Sequence, residues 1–320
     1  MFGFLGDIGS AIMTPLYYAV SAVLIAWHWA IDHIPGISPG WVWVLSIVGL
    51  TVTIRTILIP LFVKQIKSSR NMQLLQPKVR ELQKKYGHDR ERMAQEQMKL
   101  FKETGTNPFA SCLPILAQMP VFFALFRVID QAAKAPENNL EKGVRGFFDV
   151  GYVRSLQNAE IFNAKIADTF QSTELMEVRV LTIFLVVVMC LTQFTTQRQL
   201  MAKNMPPDAM TGQYAQQQKM LLYILPFVFA ISGVIFPVGV LVYWVTTNLW
   251  TMGQQFYVIR NNPAPGTPAF KAKQERDAKH GKSVVEDPLK ELEEPHEKPV
   301  PRNQPKKQTR NQRKKKGGNK

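Results

Sequence analysis

Residues 41–63, WVWVLSIVGLTVTIRTILIPLFV, form an apolar run that carries one charged side chain, Arg55, and no acid. A helix needs about 20 such residues to cross a hydrocarbon core of about 30 Å. Inside that core every backbone polar group must be satisfied by the segment itself, so a chain with several such runs is committed to bundled helices. Further apolar blocks lie at about 110–129, 180–197 and 220–259, and Phe236-Pro237-Val238-Gly239 turns the last into a hairpin. The average composition conceals this, with 46% hydrophobic residues, a mean hydropathy of −0.09 and a net charge of +15, because Lys and Arg are segregated into about 64–106 and the stretch past 260. The fold class read from this pattern is all-α, a polytopic membrane protein with five spans in these runs and a sixth, at 11–34, that hydropathy alone slightly favours.

Charge fixes the expected orientation. The segment 64–106 holds Lys64, Lys67, Arg70, Lys78, Arg80, Lys84, Lys85, Arg90, Arg92, Lys99 and Lys102, whereas acids and bases nearly balance over about 132–178. Loops rich in Lys and Arg stay on the cytoplasmic side. The first span, 41–63, therefore opens outside, with Trp41 and Trp43 at an interface, and closes inside at Lys64 and Lys67. Residues 64–106 carry Met72, Leu75, Val79 and Leu82 at helical spacing, then a break near Tyr86-Gly87-His88-Asp89, then Met93, Gln97, Leu100 and Phe101, which reads as a cytoplasmic helical hairpin. Residues 107–259 hold the remaining four spans. Their 132–178 loop and Pro237 turn lie outside, and the C-terminus lies in the cytoplasm.

Both ends of the chain read differently from this core. Residues 11–34 are long and apolar enough to cross, yet they contain Pro15, Ser21, Trp27, His28 and Trp29, a mixture that also suits a helix lying in the interface. No Lys or Arg precedes this stretch, which argues against a cleavable signal peptide. Residues 260–320 are rich in Pro, Lys and Glu and poor in large apolar side chains, so a disordered basic tail is expected. From Lys298 to Lys320 the tail has no acid, the composition of a polyanion-binding arm or of positive-inside charge alone. Cys112 and Cys190 fall inside apolar blocks without a CxxC or His partner, so packing is expected of them, and no metal or cofactor site.

Arg55 is the most informative residue. It precedes Lys64 by nine positions, roughly 13 Å of helix at 1.5 Å per residue. An Arg at the bilayer centre costs about 2.5–3.5 kcal/mol on insertion scales and faces water, protein or a partner. Polar residues at helical spacing mark four spans: Thr51 with Arg55; Gln118; Thr192, Gln193, Thr195 and Thr196; and Trp244, Asn248, Thr251 and Gln255. Each taken singly reads as a hydrogen bond between packed helices. Together, around one Arg and with no acid, they read as the lining of a wet cavity.

The run TIRTILIPLFVKQIKSSRNMQLLQPKVRELQKKYG, continued by QEQMKLFKETGTNPFASCLPILAQMPVFFALF, resembles the core of the YidC/Oxa/Alb family of membrane protein insertases, and PVGVLVYWVTTNLWTMGQQFYV is similar to that family's last span. The resemblance covers about residues 41–259, and its short outer region is similar to Gram-positive, actinobacterial-like forms. It implies an insertase and chaperone that helps nascent membrane proteins into the bilayer through a hydrophilic groove. Arg55, Thr51, Gln118, Gln193, Thr196, Tyr243, Trp244 and Asn248 are expected to form that groove. In the last span the family's aromatic pair is Tyr243-Trp244 here, a departure in its second member. The resemblance also implies that residues 1–40 form an amphipathic helix on the outer face. The implied partners are nascent chains, membrane lipids, the ribosome through the basic hairpin and tail, and the Sec translocon; DNA is not among them.

The sequence contains no Walker motif, HExxH, GxSxG or carboxylate pair, so no enzymatic activity or nucleotide hydrolysis is expected. A small-solute channel or transporter with Arg55 as an anion site is the main alternative, although the internal repeats it predicts are not seen. A noncatalytic scaffold with a structural Arg55 is the other.

Overall fold

The computed structural model describes residues 2–105, 113–205 and 212–283, together with Glu286. The chain divides into two units, residues 1–285 and 286–320, and the helices and strands of the described residues all lie in the first. Asn107, Pro108, Cys112, Pro206, Pro207 and the basic block from Lys298 lie outside the described residues.

The described residues are mainly helical. Helix α1 spans Phe2–Asp32 without a break at Pro15 and packs on α2, Pro39–Ile57, and on α6, Leu113–Ala133. Pro39 occupies the first turn of α2, where its missing N–H costs no helical bond. The run expected as one span over 41–63 is divided: α2 stops at Ile57 and α3, Ile59–Leu74, starts after Leu58. Pro60 explains the joint, since it has no N–H for the carbonyl of Thr56 and its ring crowds that turn. Helices α4, Gln76–Tyr86, and α5, Arg90–Glu103, follow as a hairpin, with the Asp89 carboxylate accepting from the Arg92 N–H to cap α5.

After α6, the chain forms a short 3₁₀ turn, α7 (Val150–Gln157), and a two-stranded hairpin of β1, Glu160–Ile161, and β2, Ala164–Lys165. Helices α8, Met176–Asn204; α9, Gly212–Ile235; and α10, Val238–Asn261, complete the bundle. Gly233 of α9 meets Val186 of α8 so closely that a Cβ would stand 2.2 Å from its Cγ2.

The segment read as a polar loop is a packed cap. Phe148, Val153, Leu156, Ile161 and Ile166 are buried with Trp43, Ile47 and Leu50 of α2 and Leu125 and Ile129 of α6. It also closes helix ends whose backbone groups have no partner within the helix. The Gln157 side-chain amide donates to the carbonyls of Ala132 and Ala135 at the end of α6. At the start of α10, the N–H groups of Val238 and Gly239 donate to the carbonyls of Asp168 (3.0 Å) and Ile166 (2.9 Å).

Two further expectations are corrected. Trp41 is exposed, but Trp43 is 0% exposed and donates its indole N–H to the Ser155 hydroxyl at 3.0 Å, so it is a core residue and not an interfacial one. The segment past 260 carries an ordered helix, α11, Pro268–Lys279, packed on α8 and α10. Thr267 caps it by accepting from the Phe270 N–H, Pro268 sits in its first turn, and the Phe270 ring is buried.

Candidate functional site

Arg55 lies in the last turn of α2 and is 6% exposed. The Phe62 ring, on α3 just past the Pro60 joint, stands 5.5 Å from its guanidinium carbon in cation–π contact. The Tyr243 hydroxyl on α10 accepts from the Gln118 side-chain amide on α6. Among the described residues the Arg55 Nε has no hydrogen-bond partner, and neither does Gln118 Oε1. Gln118 and Tyr243 thus join α6 to α10, which packs on the α2 helix that carries Arg55.

The remaining expected site residues are placed otherwise. Thr51 is buried one turn before Arg55, with its hydroxyl donating to the Ile47 carbonyl at 2.8 Å. Thr196 is half-buried and donates to the Thr192 carbonyl, while Gln193 is half-buried beside it on α8. These hydroxyls satisfy their donors on their own helix and keep lone pairs to offer. Asn248 faces α8, its amide 3.5 Å from the Met189 carbonyl. Trp244 belongs to an aromatic cluster, with ring centroids 4.8 Å from Phe229, 5.3 Å from Phe122 and 5.8 Å from Phe236.

On one side of Arg55 the packing is closed. Trp43, Ile47, Leu50, Leu125, Leu241 and Tyr243 are all essentially inaccessible. On the other side a cavity of about 560 Å³ opens between α3 and the far half of α10. Ile59, Phe62, Val63 and Ile66 line one wall, and Leu249, Trp250, Gly253, Gln254, Tyr257, Val258 and Asn262 the other. Phe62 separates this cavity from Arg55: it lines the wall and touches the guanidinium, while neither Arg55 nor any other expected groove residue lines the cavity itself.

The polar stripe 244, 248, 251 and 255 therefore does not describe the cavity wall, which lies on another face of α10. The pair Trp250 and Gln254, one turn apart, is the signal in the sequence that would have found it.

Large apolar side chains are exposed along α8 and α9, among them Ile183, Phe184, Leu191, Phe227 and Ile231. A continuous exposed apolar surface of this kind marks contact with lipid or another protein. Among the described residues, α2 and α8 are long and apolar enough to cross a membrane.

Comparison with known proteins places the chain in a family. Residues 36–265 match the family model described as 60Kd inner membrane protein. A Streptomyces avermitilis protein named membrane protein insertase YidC is 49% identical over 82% of this chain, and that match spans 61% of its own length. A Tropheryma whipplei protein of the same name is 35% identical over 86% of this chain and 92% of its own. A crystal structure titled as an active YidC insertase with its first transmembrane domain resolved superposes with a TM-score of 0.47 at 24% identity, over 75% of this chain and 46% of the other. The chain belongs to the 60Kd inner membrane protein family, that of the YidC/Oxa/Alb proteins.

Proposed function

We propose that this chain is a membrane protein insertase and chaperone of the plasma membrane, which passes hydrophilic parts of nascent membrane proteins over Arg55 without nucleotide hydrolysis. Five spans carry it: the α2–α3 run, α6, α8, α9 and α10. Helix α1 lies on the outer face, α4–α5 form the cytoplasmic hairpin, and the C-terminus is cytoplasmic. Nascent chains are the substrates; the ribosome and the Sec translocon are partners on the cytoplasmic side and in the membrane.

One observation supports the reading: a buried Arg, whose Nε has no hydrogen-bond partner among the described residues, has inaccessible packing on one side and, beyond Phe62, a cavity on the other. A cation so placed in a bilayer needs water or an anionic partner. A carboxylate about 4 Å from the guanidinium gains roughly 4 kcal/mol at an effective dielectric near 20, enough to recruit a short acidic tail without trapping it. Once the tail has moved, the substrate's apolar segment leaves for lipid, driven by removal of its surface from water. Gln118, Tyr243, Thr51, Gln193, Thr196, Trp244 and Asn248 act as the polar and aromatic surroundings of that path. A small-solute channel would need an exit through the layer of Trp43, Ile47, Leu50 and Leu241, where the side chains are inaccessible.

The test is insertion into liposomes carrying the purified protein. Arg55→Ala is expected to slow substrates with acidic tails about tenfold or more, as loss of roughly 1.4 kcal/mol or more requires, and uncharged ones far less. Equal slowing of both would remove the electrostatic role.

A further inference from the structure

The turn between β1 and β2 contains two residues, Phe162 and Asn163, because Ile161 pairs with Ala164 and Glu160 with Lys165. Both turn residues have positive φ, 51° and 62°. This is the pattern of a type I′ hairpin, in which Asn-Gly is the favoured pair. Phe at the first position is strained, since a bulky side chain in the left-handed region crowds its own backbone. The strain is imposed by both flanks: Ile161 and Ala164 are buried in the core.

Little packing among the described residues offsets that strain, because Phe162 is 71% exposed. Among the described residues its one ring contact is with Trp41, edge-on at 5.8 Å and 85°, and Trp41 is itself exposed. Trp41 is the third residue of α2, at the level where that apolar helix begins. The arrangement is repeated nearby. Gly146, at φ 63°, makes a second tight turn that exposes Phe147, and Phe147 stacks edge-on against exposed Tyr18 of α1 at 5.1 Å. Two turns thus each present an aromatic ring to an exposed aromatic ring on a helix.

We propose that the Phe162–Trp41 tip is an interfacial anchor that seats the 160–165 hairpin in the headgroup–acyl boundary of the leaflet α2 enters. The chemistry suits that layer, where amphipathic and aromatic rings concentrate at both faces of a bilayer. Burial of the Phe162 ring among acyl carbons supplies the stabilisation that its strained backbone lacks inside the protein. The anchor would hold the cap at fixed depth over the α2 and α10 ends. This rests on the reading that α2 spans the membrane.

The experiment places an environment-sensitive fluorophore at Asn163→Cys, with both native cysteines replaced by serine, in the full chain reconstituted into phosphatidylcholine–phosphatidylglycerol vesicles. Emission is read with lipids carrying a nitroxide high on the acyl chain and, separately, with aqueous iodide. Strong quenching by the lipid nitroxide, little by iodide, and loss of the lipid quenching on adding Phe162→Ser are expected. Quenching by iodide alone, or protection from both agents as by contact with protein, overturns the anchor. So does lipid quenching that is unchanged by Phe162→Ser. A label at Phe184→Cys on α8 reports separately on the membrane reading. If it meets lipid while the Asn163 label does not, only the anchor fails; if neither meets lipid, the membrane placement of the bundle fails.

Discussion

The α2–α10 pair is built in two ways along its length. At the capped end, Trp43, Ile47 and Leu50 pack against Val238, Leu241 and Tyr243, and the 140–168 cap fits so closely that a Cβ on Gly40 would stand 1.9 Å from the Glu160 carbonyl oxygen. At the opposite end, past the Pro60 joint, α3 and α10 stand apart around a cavity, and a Cβ on Gly253 would meet nothing within 4 Å. Glycine has opposite uses at these two positions. Gly40 permits backbone contact that no side chain could share, while Gly253 keeps space open. The same two stretches of sequence therefore supply a sealed end and an open one, with Arg55 at the boundary.

The comparison can be broken by substitutions that act on one end only. Trp43→Ala should have the largest effect on stability, about 3–5 kcal/mol, because it removes a fully buried indole and leaves Ser155 without its donor. Thermal unfolding in detergent measures it, and a loss under about 1 kcal/mol would show that the capped end is not a tight core. Gly253→Leu should act in reverse: stability unchanged or raised by up to about 1 kcal/mol, since Leu favours a helix over Gly, while liposome insertion falls as the cavity narrows. Unimpaired insertion would separate the cavity from the activity.

The smallest expected effect sits in the cap. Burial raises the Asp168 carboxyl above its ordinary range, with Lys165 opposing and Glu160 adding to the shift. A carboxyl raised on folding costs stability as pH climbs past its unfolded value, and the cost is complete above the raised one. Asp168→Asn should therefore stabilise the chain slightly at neutral pH and not at all in acid below the usual carboxylate range. A gain that persists in acid would have another origin.

How much of this was legible in the sequence depends on what each signal reports. Uncharged runs and Pro237 marked the helices and their hairpin, and Tyr86-Gly87-His88-Asp89 marked the break between α4 and α5. Arg55 and Gln118 were picked out because a polar group in an apolar run is conspicuous, whereas Tyr243 came only from the family resemblance. The cap was missed because its core residues, such as Phe148, Leu156 and Ile166, belong to elements too short to show a period. Trp43 was misplaced because hydropathy places a Trp near a helix end without telling which face it occupies. The Trp250–Gln254 wall was missed for a related reason: choosing among faces of an apolar helix depends on where α3 diverges, a tertiary fact set by Pro60.

The most direct test is sided labelling of single cysteines in sealed vesicles with a membrane-impermeant maleimide, after replacing Cys112 and Cys190 with serine. Phe62→Cys and Gln254→Cys should react from the inner side and not from the outer, while Ile47→Cys should react from neither. Silence of the first two from the inside, or reaction of Ile47→Cys from the outside, would contradict an Arg55 that is reached by water from one face only.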